Sequence, residues 1–282
     1  MPDPVDLAHG MPPERLQARI FAGDILVFRG LAPVRALVSQ ADRMIRAHFA
    51  NPEQATRHMD PASFLQAAGA LRRAYGRSAE VSCLWREALA ACGLVMDRTY
   101  WDRRRLRVNP SGARHHGPQV ANLPAHRDSW GANLPQQINW WAPVYPVTAG
   151  RSLLIHLDAW ARPVENDSAT WDIEEFRRRR AAGHGAGYPP LPTATRPADW
   201  GEATPILPRP GDLIAFSAAH LHASAVNRTG RTRFNIEGRT LDLAEWRAGR
   251  GAPTPDGAAP HVALRWFSHC ETGTPLETAQ EQ

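Results

Sequence analysis

Apolar residues recur every three or four positions through much of the first hundred residues. The repeat is clearest within residues 33–49, at Leu37, Ala41, Met44 and Ile45, and within residues 82–99, at Leu84, Leu89 and Leu94. This spacing places the apolar side chains on one face of a helix. Residues 23–29 instead hold a short apolar run after a turn, which predicts an outer strand. We therefore expect residues 1–104 to be mainly helical.

From Arg105 onward the chain changes to short apolar runs separated by proline and glycine. The runs lie at residues 106–108, 138–141, 153–157, 213–216, 234–236 and 262–267. Strands at this spacing indicate a β-sandwich or a β-barrel. Residues 162–210 hold a short acidic-then-basic helix and a proline-rich stretch, which we expect to form an insertion over the mouth of the core. The whole chain, residues 1–282, is expected to be one domain with its core at residues 105–270.

All 33 basic residues are arginine, because the chain contains no lysine. This excludes lysine Schiff bases and the lysine of phosphate-binding loops. Guanidinium groups bind carboxylate and phosphate in a bidentate manner, which fits an anionic substrate. The net charge of +5 also fits nucleic acid or peripheral contact with an anionic membrane surface. The arginines form no long stripe, however, and the densest run, residues 177–180, indicates a solvated helix end, so no nucleic-acid partner is expected.

Three further features indicate a cytoplasmic protein. No apolar run approaches the roughly 20 residues that a membrane span needs. The first six residues are acidic and proline-rich, whereas a signal peptide begins with a basic and then an apolar segment. The three cysteines, Cys83, Cys92 and Cys270, are widely separated and odd in number, which predicts neither a disulfide framework nor a thiolate metal cluster.

Two copies of the motif His-x-Asp lie within residues 105–270. His156 and Asp158 lie in and just after an apolar run, where a histidine packed in the core is expected. His126 and Asp128 follow Leu-Pro and precede Ser-Trp-Gly, at the edge between a strand and a loop. One interpretation is that both side chains lie on one face of the strand and converge on a metal ion. The alternative is a surface turn capped by Asp128.

A second candidate ligand follows the strand predicted at residues 213–216. His220 and His222 share one strand face, and one of them is expected to bind metal. We favour His222, because Arg233 lies eleven positions further on in a strand-like run that aims a guanidinium into the same barrel. The competing assignment pairs His220 with Arg231 at the same separation. Non-haem Fe(II) oxygenases bind their iron through two imidazoles and one carboxylate, and this ligand set leaves other coordination positions of the metal open.

The segment from roughly residue 105 to residue 240 resembles the Fe(II)- and 2-oxoglutarate-dependent dioxygenases, and most closely their phytanoyl-CoA dioxygenase branch. In that branch the distal histidine is followed by a small residue, a serine, an asparagine and, about eleven positions on, an arginine. The matching residues here are His222, Ala223, Ser224, Asn227 and Arg233. The resemblance implies a double-stranded β-helix, the jelly-roll barrel of the cupins, with flanking helices that are mostly N-terminal.

The resemblance also implies a role for each matching residue. His126, Asp128 and His222 would hold Fe(II). Arg233 would pair with the distal carboxylate of the cosubstrate 2-oxoglutarate, and Ser224 would hydrogen-bond to that carboxylate.

Several residues near these motifs are candidates for substrate contact. Trp141, thirteen positions after Asp128, matches an aromatic residue that lines the family's pocket. Trp140 and Trp141 are adjacent, so at most one of them faces the interior. Gln137 and Asn139 also share a face. They are either polar residues of the pocket or polar groups of the barrel whose hydrogen bonds are satisfied within it.

Arg105 and Arg107 also share a face. Their guanidiniums either are solvated or point toward an anionic substrate, and we favour the solvated arrangement.

The implied reaction is hydroxylation of an unactivated C–H bond of a small anionic or sugar-like molecule by O₂, with release of succinate and CO₂. The Kdo sugar of lipopolysaccharide is one candidate substrate. Asp128 argues for hydroxylation, because halogenases of the superfamily replace this carboxylate with a small residue. One alternative is a non-catalytic cupin-like barrel that keeps His126 and His222 but does not need Arg233. The other, a basic nucleic-acid-binding module, predicts salt-sensitive binding to DNA or RNA.

Overall fold

The computed structural model of the protein describes residues 4–117, 120, 122–182, 188–196 and 200–280. The helices are α1 (Pro13–Phe21), α2 (Ala32–Arg46), α3 (Ala55–His58), α4 (Pro61–Arg77), α5 (Ala79–Cys92), α6 (Asp128–Ala132), α7 (Ile173–Ala181) and α8 (Leu243–Arg247). The strands are β1 (Val5–Leu7), β2 (Leu26–Phe28), β3 (Thr99–Trp101), β4 (Arg105–Asn109), β5 (Ile138–Pro143), β6 (Leu153–Ile155), β7 (Thr204–Ile206), β8 (Leu213–Ser217), β9 (His222–Ser224), β10 (Arg233–Asp242) and β11 (Ser268–His269).

These strands form two sheets. The larger sheet has the order β1-β2-β8-β5-β10-β3-β11, and β4 also pairs with β10. The ten-residue strand β10 lies at its centre, with β5 antiparallel on one side and β4 followed by β3 antiparallel on the other. The smaller sheet has the order β7-β6-β9.

The larger sheet carries helices on one face and the smaller sheet on the other. Side chains alternate along each strand. Trp140 of β5 therefore packs in the cluster that includes the helices, whereas Trp141 packs with Ile155 of the smaller sheet. The buried faces of α2 and α5, which include Leu37 and Trp85, cover the outer face of the sheet. Trp141, and not Trp140, thus lies on the inner face.

The strand predicted at residues 23–29 is confirmed as β2. It is not the outermost strand, because β2 pairs with β8 on one side and with β1 on the other. The strands predicted at 106–108, 138–141, 153–157, 213–216 and 234–236 are confirmed as β4, β5, β6, β8 and β10, although β6 ends at Ile155.

The strand predicted at residues 262–267 is wrong. Leu264–Trp266 forms a turn of 3₁₀ helix, and β11 begins only at Ser268. Ala263, Leu264 and Phe267 are the buried residues of this segment and belong to one small apolar cluster. Their spacing of one and three positions is that of a helical turn and not that of a strand.

Two helix ends also differ from the predictions. The helix predicted within residues 33–49 is α2, but the helix predicted at 82–99 begins at Ala79 and ends at Cys92. Gly93 stops it with a left-handed φ of 115°, and a Cβ at that position would lie 2.0 Å from the carbonyl oxygen of Met11.

The segment expected to be an insertion, residues 162–210, contains helix α7 but ends in strand β7. Because β7 pairs with β6, this part of the segment belongs to the smaller sheet. Residues 183–187 and 197–199 of the segment lie outside the described residues. Within the described chain, no helix combines the length and the apolar character needed to cross a membrane.

Candidate metal centre

Three side chains predicted as metal ligands lie together between the two sheets. His126, Asp128 and His222 each offer one ligand atom, and these atoms all lie within 4.8 Å of one another. The Nε2 atom of His126 is 4.0 Å from Oδ1 of Asp128, and Nε2 of His222 is 3.8 Å from Oδ2 of the same carboxylate. The two imidazoles are buried.

The backbone brings the two histidines together beside β9, the edge strand of the smaller sheet. His126 and His222 form an isolated antiparallel bridge, in which each amide donates to the other carbonyl, at 3.0 and 2.9 Å. We expected Asp128 to share a strand face with His126. It does not, because Asp128 is the first residue of the short helix α6. The turn into α6 swings its carboxylate back toward the imidazoles, and the amide of Ser129 fixes this turn by donating to the carbonyl of Ala218 at 3.2 Å.

Each imidazole is held in the tautomer that a metal ion requires. Nδ1 of His126 donates to the carbonyl of Pro124 at 2.7 Å, and Nδ1 of His222 donates to the carbonyl of His220 at 3.0 Å. Because a carbonyl only accepts, the proton resides on Nδ1 and the lone pair on Nε2 points at the shared space. Burial, with the charge of His222, lowers the pKa of His126 to about 3, and burial also lowers the pKa of His222. Both rings are neutral at pH 7.

The carboxylate of Asp128 is held by two donors. Nη2 of Arg239 donates to Oδ1 at 2.7 Å, and Nδ2 of Asn139 donates to Oδ2 at 2.7 Å. Burial acts to raise the pKa of Asp128, but the charge of Arg239 outweighs it and holds the pKa well below its usual range. Asp128 is therefore ionised.

Two predicted substrate residues support this ligand. Asn139 borders the cavity and contacts Asp128, as described above. Gln137 does not reach the cavity: it is fully buried, and its Nε2 donates to Oδ1 of Asn139 at 2.9 Å. This bond turns the amide nitrogen of Asn139 toward Asp128, so Gln137 acts behind the site.

The three residues border a pocket with an empty volume of about 540 Å³, part of which is continuous with solvent. Its apolar wall includes Leu123, Trp141, Leu153 and Phe216. Its charged wall includes Arg105, Arg107, Arg233, Glu237 and Arg239. The predicted metal ligands and the predicted substrate contacts Trp141, Asn139 and Arg107 therefore share one pocket.

Our expectation that Arg105 and Arg107 are solvated is wrong. Strand β4 pairs with β10 in the register that sets Arg105 opposite Glu237 and Arg107 opposite Asn235. Residues opposite each other in an antiparallel pair point to the same side of the sheet. Both guanidiniums therefore face inward and line the pocket.

Arg233 is a buried guanidinium without a carboxylate partner among the described residues. Its side chain is 4% exposed, its Nη1 donates to the carbonyl of Ser152 at 3.0 Å, and its Nη2 donates to Oγ of Ser224 at 3.4 Å. Its Nε has no acceptor in this part of the chain. Burial lowers the pKa of Arg233 to about 10, so the group is still a cation at pH 7. A buried charge with an unused donor favours an anionic ligand beside Ser224.

The competing pair, His220 and Arg231, lies elsewhere. The ring of His220 is buried, contacts the carbonyls of Gly23 and Ser217 at 3.1 and 3.3 Å, and packs on the indole of Trp160 with ring centroids 4.5 Å apart. Arg231 is 54% exposed and lies 3.6 Å from Glu53. The geometry thus places His222, and not His220, with the other two ligands.

The second His-x-Asp motif also lies apart from the site. His156 is only half-buried and packs edge-to-face against Trp200, with ring centroids 5.5 Å apart. It is therefore not the core histidine that we expected.

Two charged residues of the site, Glu237 and Arg239, were not predicted. A signal for them exists in the sequence, because polar residues alternate along β10 from the one residue that was predicted, Arg233. The alternating polar residues are Arg233, Asn235, Glu237 and Arg239. Period-two alternation places all four on one face of the strand, which here is the inner face.

No protein-family model matches this chain, and no curated protein does. Solved structures with a similar course of the chain include ThoJ, described as a non-heme monooxygenase, at 17% identity and a TM-score of 0.43 over 80% of this chain and 77% of that one. The epimerase SnoN, in complex with Fe³⁺, alpha-ketoglutarate and nogalamycin RO, has 15% identity and a TM-score of 0.44 over 88% of this chain and 95% of that one. EctD from S. alaskensis has 16% identity and a TM-score of 0.40 over 92% and 87%. Likeness at this level carries no argument about function.

Proposed function

We propose that this chain is an Fe(II)- and 2-oxoglutarate-dependent oxygenase that hydroxylates a small anionic molecule. One observation carries the proposal: two neutral imidazoles, one ionised carboxylate and an unpaired buried guanidinium face the same pocket. Imidazole and carboxylate ligands suit Fe(II) and leave positions open for a cosubstrate and O₂. The guanidinium suits the far end of a dicarboxylate.

The residues present fit both groups. His126, Asp128 and His222 would hold the iron through two Nε2 atoms and one carboxylate oxygen. Arg233 and Ser224 would hold the distal carboxylate of 2-oxoglutarate, which gives the unused Nε of Arg233 an acceptor. Oxidation of a C–H bond by O₂, with release of succinate and CO₂, is the chemistry that the bound iron and 2-oxoglutarate supply.

The chain itself contributes ligand geometry and a shielded pocket. The carbonyls behind the two histidines fix their rings, while Arg239 and Asn139 fix the carboxylate of Asp128. The apolar wall formed by Leu153, Trp141 and Phe216 keeps bulk water from one side of the reacting centre. We propose that the two facing sheets are the halves of a jelly-roll barrel, that residues 1–282 are one domain of the phytanoyl-CoA dioxygenase-like branch, and that the enzyme acts in the cytoplasm.

The inward-facing arginines support an anionic substrate in general. The Kdo sugar and contact with an anionic membrane have no feature of the described pocket or surface behind them, and they do not form part of the proposal.

The test is an anaerobic titration of the metal-free protein with Fe(II) and 2-oxoglutarate, in which a weak visible charge-transfer band reports chelation of the metal by the cosubstrate. We expect the band in the wild type and in His156→Ala, and its loss in His222→Ala. Arg233→Ala should raise the 2-oxoglutarate concentration needed by about tenfold or more, because a hydrogen bond to a charged group is lost. Arg231→Ala is the matched control and should not change it.

Absence of the band at any metal loading would contradict the oxygenase proposal. Metal binding without the band would leave a cupin-like barrel that binds metal without turnover.

A further inference from the structure

The charged wall of the pocket has an excess of positive charge. Four guanidiniums line it, those of Arg105, Arg107, Arg233 and Arg239. The carboxylates that contact or join them are those of Asp102, Asp128 and Glu237. A divalent metal ion and a doubly charged cosubstrate would balance each other, so one positive charge of the protein remains uncompensated.

Two of the four guanidiniums are already committed. Arg239 uses one Nη atom on Asp128 and the other on Asp102, at 2.7 and 3.1 Å. Arg233 lies at the other end of the pocket, beside Ser224, where the proposed function assigns it to the cosubstrate. The uncompensated charge is therefore available at the remaining two guanidiniums, on strand β4.

Arg105 and Arg107 keep most of their donors free. Arg107 uses only Nε, on Glu237 at 2.7 Å, and Arg105 uses only Nη2, on Asp102 at 2.9 Å. Their other N–H groups have no acceptor among the described residues. The side chain of Arg107 is 27% exposed and that of Arg105 is 34% exposed. Both line the pocket, so these donors are accessible from it.

The geometry of the strand sets the two groups side by side. Arg105 and Arg107 are two positions apart on one strand face, where Cα atoms are separated by roughly 6.6 Å. Glu237 holds Arg107 through Nε, so its two Nη atoms remain as a forked donor pair. Such a fork matches two oxygens of a carboxylate or a phosphate.

We propose that Arg105 and Arg107 bind an oxyanion of the molecule to be oxidised, a carboxylate or a phosphate, and thereby orient that molecule in the pocket. This inference rests on the proposed function. Since Arg105 shares Asp102 with Arg239, which in turn holds Asp128, the oxyanion site is tied through one carboxylate and one guanidinium to the metal ligand.

The test uses two simple probes, acetate for a carboxylate and methyl phosphate for a phosphate. Each is titrated calorimetrically into the protein loaded anaerobically with Fe(II) and 2-oxoglutarate, so that Arg233 is already occupied. We expect one equivalent of at least one probe to bind, and the tighter probe identifies the oxyanion. Arg105→Gln and Arg107→Gln should each weaken that binding by roughly three- to tenfold.

The matched control is Arg103→Gln, an exposed arginine two positions before Arg105 that does not line the pocket, and it should bind the probe like the wild type. Wild-type binding in both Arg105→Gln and Arg107→Gln, or no binding of either probe, would overturn the inference.

A second arm separates this inference from the oxygenase proposal. The same titrations in an Arg233→Ala background, without metal or cosubstrate, report only on the β4 pair. Loss of probe binding there on Arg107→Gln would support the oxyanion site even if no charge-transfer band forms, whereas unchanged binding would count against the site even if the band forms.

Discussion

Replacement of Arg239 by methionine should destabilise the metal-free protein strongly. The side chain of Arg239 is 16% exposed and pairs with both Asp102 and Asp128. Burial acts against its charge, but these two carboxylates outweigh burial and raise the pKa of Arg239. Methionine fills a similar volume without the charge, so the variant leaves two buried carboxylates without their shared cation. Removing one partner of a buried ion pair costs about 3–5 kcal/mol.

The lower end of that range applies here, because each carboxylate keeps one donor. Asn139 still donates to Asp128, and Arg105 still donates to Asp102. A loss of about 3 kcal/mol corresponds to a fall in Tm of roughly 5 °C for a chain of this size. Asp128→Asn added to Arg239→Met should recover part of that loss, because it removes one of the two unpaired charges.

Metal binding should narrow the difference in stability between the two proteins. A divalent cation at Asp128 supplies the charge that Arg239 supplies in the metal-free protein, whereas in the wild type the two cations repel each other. We therefore expect Mn(II), used as a substitute that does not react with O₂, to raise the Tm of Arg239→Met more than that of the wild type. Its affinity for the variant should rise about tenfold, which corresponds to about 1.4 kcal/mol.

The assay is thermal unfolding with and without Mn(II), combined with a metal titration. Arg265→Met is the control, because Arg265 forms an exposed pair with Glu277 at 2.8 Å and its loss should leave the Tm unchanged. An unchanged Tm in metal-free Arg239→Met, or an equal gain from Mn(II) in both proteins, would refute the reasoning.

Three further predictions concern residues around the site. Arg127→Met should lower the free energy of unfolding in urea by about 3 kcal/mol, because the fully buried guanidinium donates to backbone carbonyls of other segments and its loss leaves Asp256 without its cation. The lower end of the range applies, because Trp130 and Val164 still donate to that carboxylate. His220→Phe should lower the Tm but keep one bound metal ion per chain by elemental analysis, and loss of the metal would contradict the assignment of that histidine to the core. Ellman's reagent at pH 8 should label Cys83 rapidly and Cys270 slowly. Cys83 is exposed, whereas burial raises the pKa of the Cys270 thiol to about 11. Equal rates would show that this burial does not protect the thiol.

The predicted residues that the structure brings together at one pocket depend on short stretches of sequence. His126 and Asp128 are two positions apart, and His222 lies five positions after the end of β8, whose apolar run is unmistakable. Arg233 follows from the spacing of the resembling family. In each case the motif lies within about a dozen residues, so it can be recognised in the sequence without knowledge of the contacts between distant segments.

The errors arise where distant segments decide the outcome. The side to which Arg107 points depends on the register between β4 and β10, which are more than a hundred residues apart in the chain. The alternation along β4 determines that its two arginines share a face. It does not determine whether that face lines the pocket or faces solvent. Likewise, the apolar run that contains Leu264 forms a turn because α6 and β10 supply its packing partners, and its composition alone fits a strand equally well.

Strand β10 joins the fold to the chemistry of the site. Its inward positions carry Arg233, Glu237 and Arg239, whereas its outward positions pack on the helices, with Gly238 beneath the indole of Trp85. A shift of one residue in its pairing would turn these three charged side chains toward the helical layer and bring Phe234 and Ile236 to the pocket side. Pairing with β5 on one side and with β4 and β3 on the other fixes the register along the whole strand. The contacts that stabilise this sheet are therefore the same contacts that aim Arg233 and Arg239 at one pocket.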